Sequence, residues 1–120
     1  MATSTKFNMT KDVAGYNGFG VMFATDGFKG LLATSTEQHV TVPANYPYWL
    51  AVFSYTPGSN VWVDINATAA VPVGAFTATT SDLNPSARLV QAGDTLSFIT
   101  SDVAGAQVKV SFYVVSVFGN

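Results

Sequence analysis

Acid–base catalysis needs a group that titrates near neutrality, and this chain of 120 residues has one histidine, His39, beside seven carboxylates and no cysteine. His39 alternates with Glu37 and Thr41 in a β-prone run, which places all three on one solvated face. No serine stands in a Gly-x-Ser-x-Gly turn, so the hydroxyl, imidazole and carboxylate of a hydrolase have no visible frame. Asp64, Asp82, Asp94 and Asp102 are oxygen donors of the kind calcium takes, yet none opens an Asp-x-Asp-x-Asp-Gly loop. Asp82, ahead of Leu83-Asn84-Pro85, and Asp94, after Gly93, read instead as turn residues that bond nearby backbone. Without thiolates there is no cysteine-based zinc or iron–sulfur site. Gly15-Tyr16-Asn17-Gly18-Phe19-Gly20 lacks the spacing and the following helix of a phosphate loop. Two glycosylation sequons, Asn8-Met9-Thr10 and Asn66-Ala67-Thr68, mean nothing without secretion. The expectation is a chain that is not an enzyme and has no catalytic residue, cofactor or metal.

Aromatic rings are the residues here that suit recognition. Tyr46, Tyr48, Trp49, Tyr55 and Trp62 fall within two neighbouring β-prone runs, and such rings serve protein interfaces and sugar stacking alike. Parity separates them. In Val61-Trp62-Val63-Asp64-Ile65, the aliphatic residues Val61, Val63 and Ile65 share one face, which leaves Trp62 with Asp64 on the other, away from the core. From Tyr46 to Tyr55 both faces are apolar: Trp49, Ala51 and Phe53 suit a core, while Tyr48, Leu50 and Val52 form a second face that a partner would cover. The last run puts Val108, Val110, Phe112 and Val114 on one side and turns apolar on the other at Tyr113, Val115 and Val117. With Phe7, Met9 and Tyr16 from the polar beginning of the chain, the candidate interface comprises Tyr48, Trp62, Tyr113, Val115 and Val117.

Composition agrees with a surface made for contact. Charged residues are 10% of the chain, against about 25% in ordinary domains, while hydrophobic residues are 48%. Hydroxyl-rich neutral surface repels its own kind weakly, which favours self-association. The net charge of -2, with Lys6, Lys11, Lys29, Arg88 and Lys109 scattered and forming no stripe, argues against a nucleic-acid binder. No apolar run approaches the roughly 20 residues that span a bilayer, and residues 1–7 lack the apolar region of a signal peptide. The expected place is a cytoplasm, with no membrane partner.

The elements that must position these residues are short. Residues 1–18 are polar, hold a Gly-Tyr-Asn-Gly turn and read as an extended N-terminal arm suited to crossing onto a neighbour. Residues 19–120 read as one domain. Phe19 to Ala24 and Phe28 to Ala33 suggest a hairpin about Asp26-Gly27. Runs follow at 36–42, 46–55, 60–66, 73–79, 87–91, 95–100 and 107–118, with a loop at Ser81 to Pro85 and turns at Thr56-Pro57-Gly58-Ser59 and Gly93-Asp94. Strands at this spacing predict an all-β chain of about eight strands, in a sandwich, a jelly roll or a small barrel.

Ala87-Arg88-Leu89-Val90-Gln91-Ala92-Gly93-Asp94-Thr95-Leu96-Ser97-Phe98, followed by the closing run from Val108 to Phe118, resembles the end of many jelly-roll domains, where a Gly-Asp turn launches a strand near the C-terminal one. Cupin metal chemistry does not carry over, because the histidine-rich motifs are missing. With its size, polar arm and few charges, the chain resembles the small jelly-roll decoration or cement proteins of tailed bacteriophages. That resemblance implies a jelly-roll-like antiparallel β-sandwich and a structural virion protein assembled in the host cytoplasm, a homotrimer or homodimer that binds the major capsid protein. The alternative is a carbohydrate- or receptor-binding module of a phage tail, with Trp62 and Tyr48 as stacking platforms.

Overall fold

The structure, a computed structural model, describes residues 4–7, 14 and 23–115. Among them are eight strands and no helix: β1 (Asp26–Leu32), β2 (Gln38–Thr41), β3 (Tyr48–Tyr55), β4 (Val61–Ile65), β5 (Asp82–Leu83), β6 (Ala87–Gln91), β7 (Thr95–Thr100) and β8 (Ala106–Val114). They form two four-stranded sheets, β1-β8-β3-β6 and β2-β7-β4-β5, with every strand pair antiparallel. β1 pairs with β8, β2 with β7, β3 with β6 and β4 with β5, as in one long hairpin wound upon itself; β3·β8 and β4·β7 then complete the sheets.

The β-sandwich holds together because each sheet offers one alternating apolar face to the other. Trp49, Ala51 and Phe53 of β3 meet Val108, Val110 and Phe112 of β8, and across the interior lie Val61 and Val63 of β4 with Leu96 and Phe98 of β7. Phe98 is fully buried, with Phe53 edge-on at 6.3 Å and Phe28 stacked at 6.1 Å. Trp49 donates its indole N–H to the Tyr46 carbonyl at 3.0 Å, so the ring is buried with its polar atom satisfied.

Several expectations need correction. Asp26-Gly27 is not a hairpin turn: both residues lie in β1, Gly27 opposite Ser111 of β8. A Cβ on Gly27 would sit 2.8 Å from the Val110 carbonyl oxygen, so glycine serves close strand approach here, not chain reversal. Residues 73–79 form no strand but part of a long loop from β4 to β5, and the expected loop at Ser81 to Pro85 contains β5. Ile65, expected in the core, is 42% exposed at the end of β4. Of the expected arm, residues 4–7 lie on their own sheet. Lys6 bridges Val114 in parallel, Val114 N–H donates to the Thr5 carbonyl at 2.7 Å, and Phe7 N–H donates to the Val114 carbonyl at 2.9 Å. This stretch takes the edge of β8 that β1 leaves after Asp26↔Phe112. Met9, Tyr16, Val117 and residues 19–22 lie outside the described residues.

Candidate interaction surfaces

The outer face of the first sheet follows from register. Tyr48, Leu50, Val52 and Ser54 of β3 point away from the core, beside Ala87, Leu89 and Gln91 of β6 and Lys109, Ser111 and Tyr113 of β8. Tyr48, Leu50 and Val52 are half-buried and Leu89 is exposed, which makes an apolar strip across adjacent strands. Tyr113, expected at an interface, is covered by its own chain: Phe7 meets it edge-on at 5.7 Å, and Tyr113 is buried while Phe7 is 37% exposed. Val115 is half-buried and donates its N–H to the Tyr48 carbonyl at 3.2 Å. Phe7, Tyr48, Tyr113 and Val115 therefore gather about one end of this face. Trp62 does not join them.

Trp62 belongs to the outer face of the second sheet, as parity requires, opposite Ile99 and Leu83. It is nevertheless 8% exposed, because the loop between β4 and β5 folds back over it and Phe76 stands edge-on to the indole at 5.7 Å. The loop is fastened at both ends. Asn66 N–H donates to the Thr95 carbonyl at 2.7 Å and Asn66 Oδ1 accepts Thr95 N–H at 2.9 Å. Ala69 N–H donates to Ser97 Oγ at 2.9 Å, and Ala70 N–H to Ser81 Oγ at 3.2 Å. Trp62 thus offers no free ring face to a sugar or a partner; Phe76 and Val73 on the loop are what is exposed.

His39 sits where expected, its side chain 64% exposed and Nδ1 3.5 Å from Glu37 Oε2. Ser97 Oγ donates to the same Glu37 oxygen at 2.6 Å. The order is hydroxyl, carboxylate, imidazole, so the imidazole is not placed to take the Ser97 proton. Ser97 is also 2% exposed and already accepts from Ala69. Asp94 serves its turn as expected, Oδ2 accepting Gln91 N–H at 2.9 Å. Asp82 does not: it lies in β5, and its Oδ2 pairs with the Arg88 guanidinium at 3.3 Å. Asp102 Oδ2 accepts Asn60 N–H at 3.0 Å and Asp64 Oδ2 accepts from Ser81 at 3.1 Å, both ties between distant parts of the chain. Among the described residues no three His, Cys, Asp or Glu side chains come close enough to hold a metal ion. Tyr55 donates its hydroxyl to the Pro85 carbonyl at 2.6 Å. Burial pushes its pKa well above the usual phenol value, with the Arg88 charge opposing and Asp82 adding to the rise.

One feature escapes sequence reading altogether. Lys29 and Lys109, scattered along the chain, stand directly opposite each other across β1·β8, with Ser54 next in the row. They line an open depression of about 710 Å³ together with Ser54, Thr56, Pro57 and Gln107 among others. No alternation rule shows which residues of the first and last strands will meet.

Comparison of the chain with protein-family models, curated proteins and solved structures finds no match. Among the described residues, no helix is long and apolar enough to cross a membrane.

Proposed function

We propose that this chain is a non-catalytic structural subunit of a phage particle, a capsid decoration or cement protein that self-associates and binds the lattice of the major capsid protein. The observation that carries the reading is the outer face of the first sheet, where Tyr48, Leu50, Val52 and Leu89 remain partly open in a chain with 10% charged residues. Leu50 and Val52 are half-buried and Leu89 is exposed, and apolar surface of this kind gains most by burial against another protein. The pairing of β1 with β8, β2 with β7, β3 with β6 and β4 with β5 supports reading the sandwich as a jelly roll. The mechanism is avidity: modest contacts, repeated by symmetry on a repeating lattice, multiply into firm attachment. The carbohydrate-binding alternative loses its main platform, because Trp62 lies under Phe76.

The test is immuno-electron microscopy of tailed phage particles from the source of this chain, with an antibody raised against it. Regular labelling of the capsid supports the reading. Labelling confined to the tail transfers the weight to receptor binding, and unlabelled particles overturn the assignment.

A further inference from the structure

The two outer faces of the sandwich carry opposite charge. On the first sheet the outward positions include Lys29 and Lys109 and, among the described residues, no carboxylate. On the second, the row His39, Ser97, Asp64 crosses β2, β7 and β4, with Glu37 one residue before β2; besides His39, which sits against Glu37, the described outward positions there hold no basic side chain.

Like charges directly opposed across an antiparallel pair oppose folding, so an exposed lysine pair without a counter-ion calls for a reason. Lysine on an edge strand is a familiar guard against edge-to-edge pairing, and Lys29 on edge strand β1 fits that role. Lys109 does not, because β8 is interior to its sheet, between β1 and β3. Neither lysine is within ion-pair distance of an acid among the described residues, whereas Arg88 has Asp82 at 3.3 Å. Each face also offers open apolar surface beside its charge: Leu50, Val52 and Leu89 on the first sheet, Val73 and Phe76 on the loop over the second.

We infer that the partner of the lysine face is the acidic face of a second copy of this chain, so that copies meet front to back with Lys29 and Lys109 against Glu37 and Asp64. This rests on the self-association proposed above and specifies its geometry. A front-to-back contact is heterologous: it closes into a ring or runs on as a stack, and it never yields a two-fold dimer. The rows are complementary in sign, and neither carboxylate is sealed off, since the Glu37 side chain is 30% exposed and Asp64 is half-buried.

The test is light scattering on the full chain and two variants, with circular dichroism and thermal unfolding to establish that each is folded. Lys29→Glu with Lys109→Glu spoils one face. Glu37→Gln with Asp64→Asn removes charge from the other while keeping oxygen acceptors for Ser97 and Ser81. Each double variant alone should be monomeric. Mixed in equal amounts, they should form a one-to-one pair and nothing larger, because one intact lysine face meets one intact acidic face. Association of the unaltered chain should also weaken as NaCl rises from about 0.05 to about 0.5 M. A wild-type oligomer that survives in both variants, a mixture of the variants that stays monomeric, or an assembly of the unaltered chain that stops at two copies overturns the front-to-back contact and leaves self-association standing. A wild-type chain that is monomeric throughout overturns both.

Discussion

Replacing Trp62 with alanine should cost stability, not merely binding. The indole is 8% exposed, roofed by Phe76 at 5.7 Å and an interplanar angle of 89°. Buried tryptophan-to-alanine changes cost about 3–5 kcal/mol. The lower end applies, because Phe76 is itself 67% exposed and the loop can settle into part of the space. With a urea slope of about 1.5 kcal/mol/M, a loss of about 3 kcal/mol moves the unfolding midpoint down by about 2 M. Phe76→Ala removes the edge-to-face contact and little else, so its cost should be about 1 kcal/mol, or about 0.7 M. The two together should cost less than the sum, with a coupling of about 0.5–1.5 kcal/mol in a double-mutant cycle. The assay is urea unfolding followed by far-ultraviolet circular dichroism, with equal slopes as the condition for comparing midpoints. A midpoint shift in Trp62→Ala below about 0.3 M, or a coupling of zero, would refute the covered indole and return Trp62 to the candidate interface.

Three further outcomes follow from particular contacts. Gly105→Ala should be more destabilising than Gly93→Ala: both glycines have positive φ, 78° and 82°, which costs alanine about 1–2 kcal/mol, but only at Gly105 would the new Cβ collide with a backbone atom, the Leu32 carbonyl oxygen. Thermal unfolding of the two variants side by side measures the difference, and equal losses would contradict the tight turn before β8. Because the folded-state pKa of Tyr55 is raised, the stability it contributes is present below about pH 10 and is lost as pH climbs above that value, where the unfolded phenol ionises first. Tyr55→Phe should therefore flatten the alkaline fall in stability in urea titrations across that range; an identical pH dependence in the variant would contradict it. Phe7→Ala uncovers Tyr113 and should lower stability by about 1 kcal/mol, a fall of about 4 °C in the thermal midpoint; no change would mean that residues 4–7 are not seated on β8.

The alternation of apolar residues was a sound guide wherever a strand faces one partner. It placed Trp49, Ala51 and Phe53 inside and Tyr48, Leu50 and Val52 outside, because successive side chains of an extended chain must point to opposite faces. It also put Trp62 on the outer side of its sheet. It failed to bury Trp62, because that burial comes from a loop whose path depends on side-chain bonds such as Asn66 to Asp94 and Ala69 to Ser97, which leave no periodic trace. Asp26-Gly27 misled for a related reason. The pair carries the residues of a tight turn, but the glycine answers to the nearby Val110 carbonyl, and strand pairing overrides the local preference. The lysine row was invisible because register between the first and last strands is set by the winding of the whole chain.

The central claim is that this sandwich works by associating with copies of itself. Light scattering of the purified chain across a concentration series tests it most directly. The account predicts a defined mass above that of one chain, held as the protein is diluted into the micromolar range. The mass of a single chain at every concentration would contradict it.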